Sequence, residues 1–154
     1  MAISMENYDS KNMTKAVGLN LPFSFKVAYE VAKFLKGKKV TRAIRELNEV
    51  KEQKTAIPYK RYNRDTPHRR GDMAAGRYPV KAAEYVLPLL KSLESNAKDK
   101  GLTGELTIIH SAAQKPSIRR RYGRVRGTKR VTHFELVAQP EVKKWKKKNS
   151  LNKI

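Results

Sequence analysis

From Glu105 to Glu135 the chain runs without an acidic residue, and apolar residues alternate with polar ones at both ends of that interval. Leu106 and Ile108 share one side of a segment over 106–113. Phe134, Leu136 and Ala138 share one side of a segment over 131–139. A period of two is the signature of a half-buried strand, so the two segments read as antiparallel partners. Between them lie Lys115, Arg119, Arg120, Arg121, Arg124, Arg126, Lys129 and Arg130, with Pro116, Gly123 and Gly127 to turn the chain. The base of such a hairpin can pack on a core, but its far end, an extension over about 111–131, is too polar to pack on protein and must project. Arginine predominates there, and its planar fork matches phosphate and stacks on bases. A merely solvated charge run has less need of that preference.

The rest of the charge agrees. The 154 residues carry 35 Lys or Arg against 14 Asp or Glu, a formal net charge of +21. Residues 106–154 hold 14 bases and two acids, while residues 1–23 are neutral. Self-repulsion on this scale opposes compaction unless a polyanion takes up part of the charge. With no cysteine there is no disulfide framework or zinc–thiolate site. The start, MAISMENYDS, lacks the apolar run of a secretory leader. No stretch approaches the ~18 apolar residues of a membrane span, so no membrane partner is expected.

Thr14 to Leu19 reads as an edge strand. Ser24 caps a helix over about 25–36, in which Ala28, Val31, Ala32 and Leu35 form one stripe, and Gly37 stops it. Thr41 caps a second helix, about 42–53, with Ala43, Ile44, Leu47 and Val50 inward and Glu46 outward. Two helices joined by a short turn invite a helix-turn-helix reading, with Arg42, Arg45 and Glu49 facing a DNA major groove. An ordinary αα-hairpin is the more economical reading, because the densest arginine lies elsewhere. A third helix spans about 79–99 with Pro79 in its first turn. Ala82, Val86, Leu89, Leu93 and Ala97 line one face, and Pro88 should kink it.

Residues 54–81 form a connector in which Lys54, Lys60, Arg61, Arg64, Arg69, Arg70, Arg77 and Lys81 alternate with Tyr59, Tyr62, His68 and Tyr78. Cations interleaved with aromatics suit contact with a nucleic-acid backbone and stacking on unpaired bases. Residues 141–154 are a Lys-rich tail around Trp145. His110 and His133 could face each other across the two strands as the acid and base of a small ribonuclease, but no carboxylate or lysine is tied to them by spacing. Phosphate-cradling, metalloprotease and dinucleotide motifs are absent.

The stretches SFKVAYEVAKFLKGKKVTRAIREL (24–47), IPYKRYN (57–63), GRYPVKAAEYVLPLLKSLESNAKDKGL (76–102) and RRRYGRVRG (119–127) resemble the universal large-ribosomal-subunit protein twenty-two family, in its archaeal or eukaryotic branch. The resemblance implies an α+β fold: three helices packed on a small three-stranded antiparallel sheet, with a long protruding basic β-hairpin, in a single domain over 1–140. It implies a structural role in the large ribosomal subunit of the cytoplasm, not an enzyme's. The hairpin would thread through large-subunit rRNA to the polypeptide exit tunnel. The expected RNA contacts are Lys60, Arg61, Tyr62, Asn63, Arg69, Arg70, Arg77, Tyr78 and Lys81 in and beside the connector. In the hairpin they are Lys115, Arg119, Arg120, Arg121, Tyr122, Arg124, Arg126, Lys129 and Arg130. The implied partners are large-subunit rRNA, neighbouring ribosomal proteins and the nascent chain near the hairpin tip, with no homo-oligomer. No cofactor of its own is expected, only magnesium ions held by the RNA nearby. A sequence-specific DNA binder built on residues 25–53 is the alternative.

Overall fold

A computed structural model describes residues 3–71, 73–102, 104–117 and 119–140, with Arg119 described by its backbone alone. The Lys-rich tail with Trp145 lies outside the described residues. The elements are β1 (Thr14–Leu21), α1 (Phe25–Leu35), α2 (Val40–Lys51), β2 (Ile57–Pro58), β3 (Gly76–Arg77), α3 (Val80–Asp99), β4 (Leu106–Gln114), β5 (Arg119–Arg120), a 3-10 turn at Gly123–Val125, β6 (Thr128–Lys129) and β7 (Thr132–Pro140).

The three long strands form an antiparallel sheet in the order β1-β7-β4, so residues 14–21 are an edge strand. Phe134, Leu136 and Ala138 of β7 are fully buried, flanked in register by Gly18, Ala16 and Thr14 of β1. On β4 the register shifts between Ile108 and His110, a bulge that places Ser111 and Ala113 opposite Leu136 and Phe134. Helix α1 lies over β4 and α3 over β1, while α2 packs on α3. Gly18 allows α3 to come close to β1: a Cβ there would sit 2.7 Å from Leu89 Cδ1. Leu35, Leu47, Leu90 and Leu93 complete the core, each worth about 1.5–3 kcal/mol when fully buried.

The helix ends depart from the expected capping. Ser24 has the extended backbone of an N-cap, but its hydroxyl makes no cap hydrogen bond. Thr41 is inside α2, which starts at Val40 behind Lys39. The cause is tertiary. Gly37 takes the left-handed conformation (φ +83°) and donates its N–H to Ile108 O at 2.8 Å, and Ile108 N–H returns a bond to Lys38 O at 2.9 Å. The turn is thereby laid along β4, and the helix starts where that pairing ends.

Glu46, expected outside, is buried to 8% exposure, held by Lys38 and by Arg42 Nε at 2.7 Å. Burial pushes its carboxyl up, but the two cationic hydrogen bonds outweigh that and leave it below the ordinary value. Helix α3 runs unbroken through Pro88, whose ring is exposed, so the missing N–H falls on the solvent side. The buried face of α3 is wider than the expected stripe, taking in Ala83, Leu87 and Leu90, with Leu89 only half-buried.

The connector is a folded loop. Ile57 pairs with Arg77 and Pro58 with Gly76, and Tyr59 N–H bonds to Ala75 O at 2.9 Å. Tyr59 is 3% exposed, and its burial raises the phenol to about 12. It is a core residue and offers no face for stacking.

Candidate nucleic-acid interface

Two short antiparallel segments make the hairpin beyond the sheet. β4 and β7 pair as far as Gln114 and His133. After a break, β5 and β6 pair Arg119 with Lys129 and Arg120 with Thr128. The 3-10 turn and Arg126, at φ +37°, close the tip, and Arg121 N–H bonds to Gly127 O at 2.8 Å. Arg120, Arg121, Arg124, Arg126, Lys129 and Arg130 are exposed, and Tyr122 at the tip is 96% exposed. No contact among the described residues uses that ring, so its face is open to stacking.

The hairpin leaves the sheet beside the β1–α1 corner, and its inner flank meets the connector there. Arg121, Lys129 and Arg130 line one open cleft with Arg77, Tyr78 and Lys81. Lys115, Lys129 and Arg130 line a second with Lys26, Asn63 and Arg77. Segments some fifty residues apart in sequence thus converge, with Arg77, Lys129 and Arg130 shared by both clefts. No carboxylate lines either cleft among the described residues. Arg69 and Arg70 are exposed but line neither, and Arg69 lies over the Tyr78 ring at 5.2 Å. Tyr122, Arg124 and Arg126 stay at the tip. Lys60 opens instead onto a groove with Phe34 and Lys38.

Tyr62 is half-buried. It packs edge-on to Tyr29, with centroids 5.3 Å apart, and near Phe25 at 6.0 Å. Arg61 sits over both tyrosines, 5.0 Å from the Tyr29 centroid and 5.4 Å from that of Tyr62. The connector's cation–aromatic alternation therefore makes an internal cluster as well as a surface.

Two contributors escaped the sequence reading. Lys26 belongs to α1, and only its place after Ser24 could have hinted that it meets the hairpin. Glu30, the one acid of α1, accepts the backbone N–H groups of Lys60, Arg61 and Tyr62.

The charges of α2 are disposed differently. Arg42 is bound to Glu46, and Arg45 Nε lies 3.8 Å from Glu49 Oε1. Arg42 and Arg45, expected to read a major groove, thus face carboxylates of their own helix, and nothing in this arrangement favours the helix-turn-helix reading. The two histidines do not face each other: His110 pairs in register with Val137 and His133 with Gln114. His110 lies near Ser4 and Glu135, and His133 Nδ1 accepts the Asn20 N–H at 3.1 Å. Among the described residues no three His, Asp or Glu side chains gather to hold a metal, and no helix is long and apolar enough to cross a membrane.

An α+β core carrying an uncompensated Arg-rich hairpin over acid-free clefts defines a polyanion-binding protein of the backbone-contacting kind. Residues 16–138 match the family described as ribosomal protein L22p/L17e, and the chain belongs to that family. It is 47% identical over 117 residues to the large ribosomal subunit protein uL22 of Archaeoglobus fulgidus, covering 74% of this chain and 76% of that protein. It is 38% identical over 143 residues to the uL22 of Staphylothermus marinus (85% and 91%). With the uL22 of Aeropyrum pernix it is 38% identical over 148 residues (88% and 95%).

Proposed function

We propose that this protein is a structural constituent of the large ribosomal subunit in the cytoplasm, where it binds and organises large-subunit rRNA. The observation that carries this is the convergence of hairpin and connector cations on clefts without carboxylates, in a chain of this family. Arginine and lysine neutralise neighbouring phosphates, release their counterions and let RNA segments approach one another. Tyr78 and Tyr122 supply faces for unpaired bases. The hairpin reaches the polypeptide exit tunnel, with Tyr122 and Arg124 nearest the nascent chain, and neighbouring ribosomal proteins contact the globular part. Magnesium ions there belong to the RNA. The role is architectural, exercised by one copy per subunit, without catalysis.

The test is co-sedimentation of the tagged full chain through a sucrose gradient in magnesium, repeated after a high-salt wash. Persistent migration with the large subunit is the expected result. A protein left at the top of the gradient overturns the reading. A photo-crosslinker at position 122 in stalled ribosomes then reports on the tunnel, and its failure to capture nascent chain removes that placement alone.

A further inference from the structure

Glu30 is a buried carboxylate with 1% exposure that points at backbone rather than at a cation. Its Oε1 accepts the N–H of Arg61 at 2.9 Å and of Tyr62 at 2.8 Å, and its Oε2 accepts the N–H of Lys60 at 3.2 Å. Three successive amides converging on one anion form a nest, a concavity usually offered to an external anion. Here the protein fills it from its own helix. The chain leaves the nest at Asn63 with φ +53°, and Asn63 then lines the cleft shared with Lys26 and Lys115. With the backbone anchored inward, Lys60 and Arg61 stand exposed, and Arg61 is braced on Tyr29 and Tyr62.

We infer that Glu30 is a positioning residue for RNA binding: its carboxylate fixes the 60–62 backbone so that Lys60, Arg61 and Asn63 are presented to the RNA in one arrangement. This rests on the rRNA-binding reading above. The inference has a sign that simple electrostatics does not share. An acid beneath a basic surface weakens the local positive field, so on field alone its removal should tighten RNA binding. As a positioning group, its reach matters more than its charge.

Two substitutions separate the terms. Glu30→Gln removes the charge and keeps an Oε1 able to accept from Arg61 and Tyr62. Glu30→Asp keeps the charge but withdraws the acceptors by one methylene. Binding of the full-length chain to a large-subunit rRNA transcript, with transfer RNA as competitor, is measured over a salt series well below the lowest melting temperature of the set. Backbone footprints on the transcript are recorded alongside. The Asp variant should bind roughly tenfold more weakly, with a salt slope lower by about one and the connector's footprint lost while the hairpin's persists. The Gln variant keeps the Arg61 and Tyr62 bonds but turns an amide donor toward the Lys60 N–H, so it should bind within roughly threefold of wild type with the connector's footprint weakened at Lys60 alone. Tighter binding by Gln with Asp unchanged overturns the inference in favour of the field. An Asp variant that melts earlier yet binds and footprints like wild type overturns it in favour of a purely structural role. If wild type itself shows no preference for the transcript over transfer RNA, the rRNA-binding reading has failed instead.

Discussion

Helix α2 and the hairpin are built from the same basic residues and differ in what faces them. In and around α2, Lys38 and Arg42 close on Glu46, Arg45 faces Glu49, and Lys54 reaches Glu52 at 2.5 Å. In the hairpin, none of Lys115, Arg120, Arg121, Arg124, Arg126, Lys129 or Arg130 forms an ion pair with a carboxylate among the described residues. Where acids are near, part of each cation's charge is met within the protein. Where they are absent, the cations repel one another and are left for an external polyanion. Charge density and lack of compensation therefore point to the same surface, and the pairing shows which cations remain available.

The most direct way to break this comparison is to remove hairpin charge. Arg120→Ala, Arg121→Ala and Arg124→Ala together should weaken binding to a large-subunit rRNA transcript by about 100-fold near physiological salt and lower the salt slope by about two to three. The unfolding free energy should change by less than about 0.5 kcal/mol, because these side chains are exposed and unpaired. A large loss of core stability would show that the hairpin serves the fold after all.

Next comes Tyr122→Ala, which touches no packing. Loss of one stacked base predicts affinity weaker by roughly tenfold, the lower part of the ~1–3 kcal/mol range for such contacts, with the salt slope unchanged. Fluorescence titration at two salt concentrations separates a stacking loss from a charge loss.

Glu46→Gln sharpens the other side. It removes the anion that Lys38 and Arg42 share and should cost about 1–2 kcal/mol in urea unfolding, since the carboxylate is buried but Arg42 is largely exposed. RNA affinity should hold or rise slightly, as two cations are released. The smallest effect is its pH dependence. Because Glu46 sits below the ordinary glutamate value of 4.5, its stabilising contribution is complete above that pH and is lost as the pH falls through the lowered folded value. The stability gap between wild type and Glu46→Gln should be constant near neutrality and close in acid. A gap that does not narrow on acidification would remove the ionised carboxylate as its cause.

Periodicity and composition alone determined a good deal. The stripe from Ala28 to Leu35, the alternation of Phe134, Leu136 and Ala138, and the breaks at Gly37 and Pro79 place three helices and three long strands within a residue or two. The acid-free interval already required a polyanionic partner. These are short-range properties, written in neighbours a few residues apart.

Tertiary structure decided which polar groups neutralise one another. Glu30 meets amides 30 to 32 residues away, the Gly37 turn is laid along β4 by Ile108, and Lys26 and Arg77 meet Lys129 and Arg130 only because the hairpin leaves the sheet beside the β1–α1 corner. Tyr59 looked like one more surface aromatic, and packing made it a core residue. Burial and partner choice depend on which distant segments share a surface, and no local pattern encodes that. The sequence therefore announced that the protein binds a polyanion, and the fold selected the cations left free to do it.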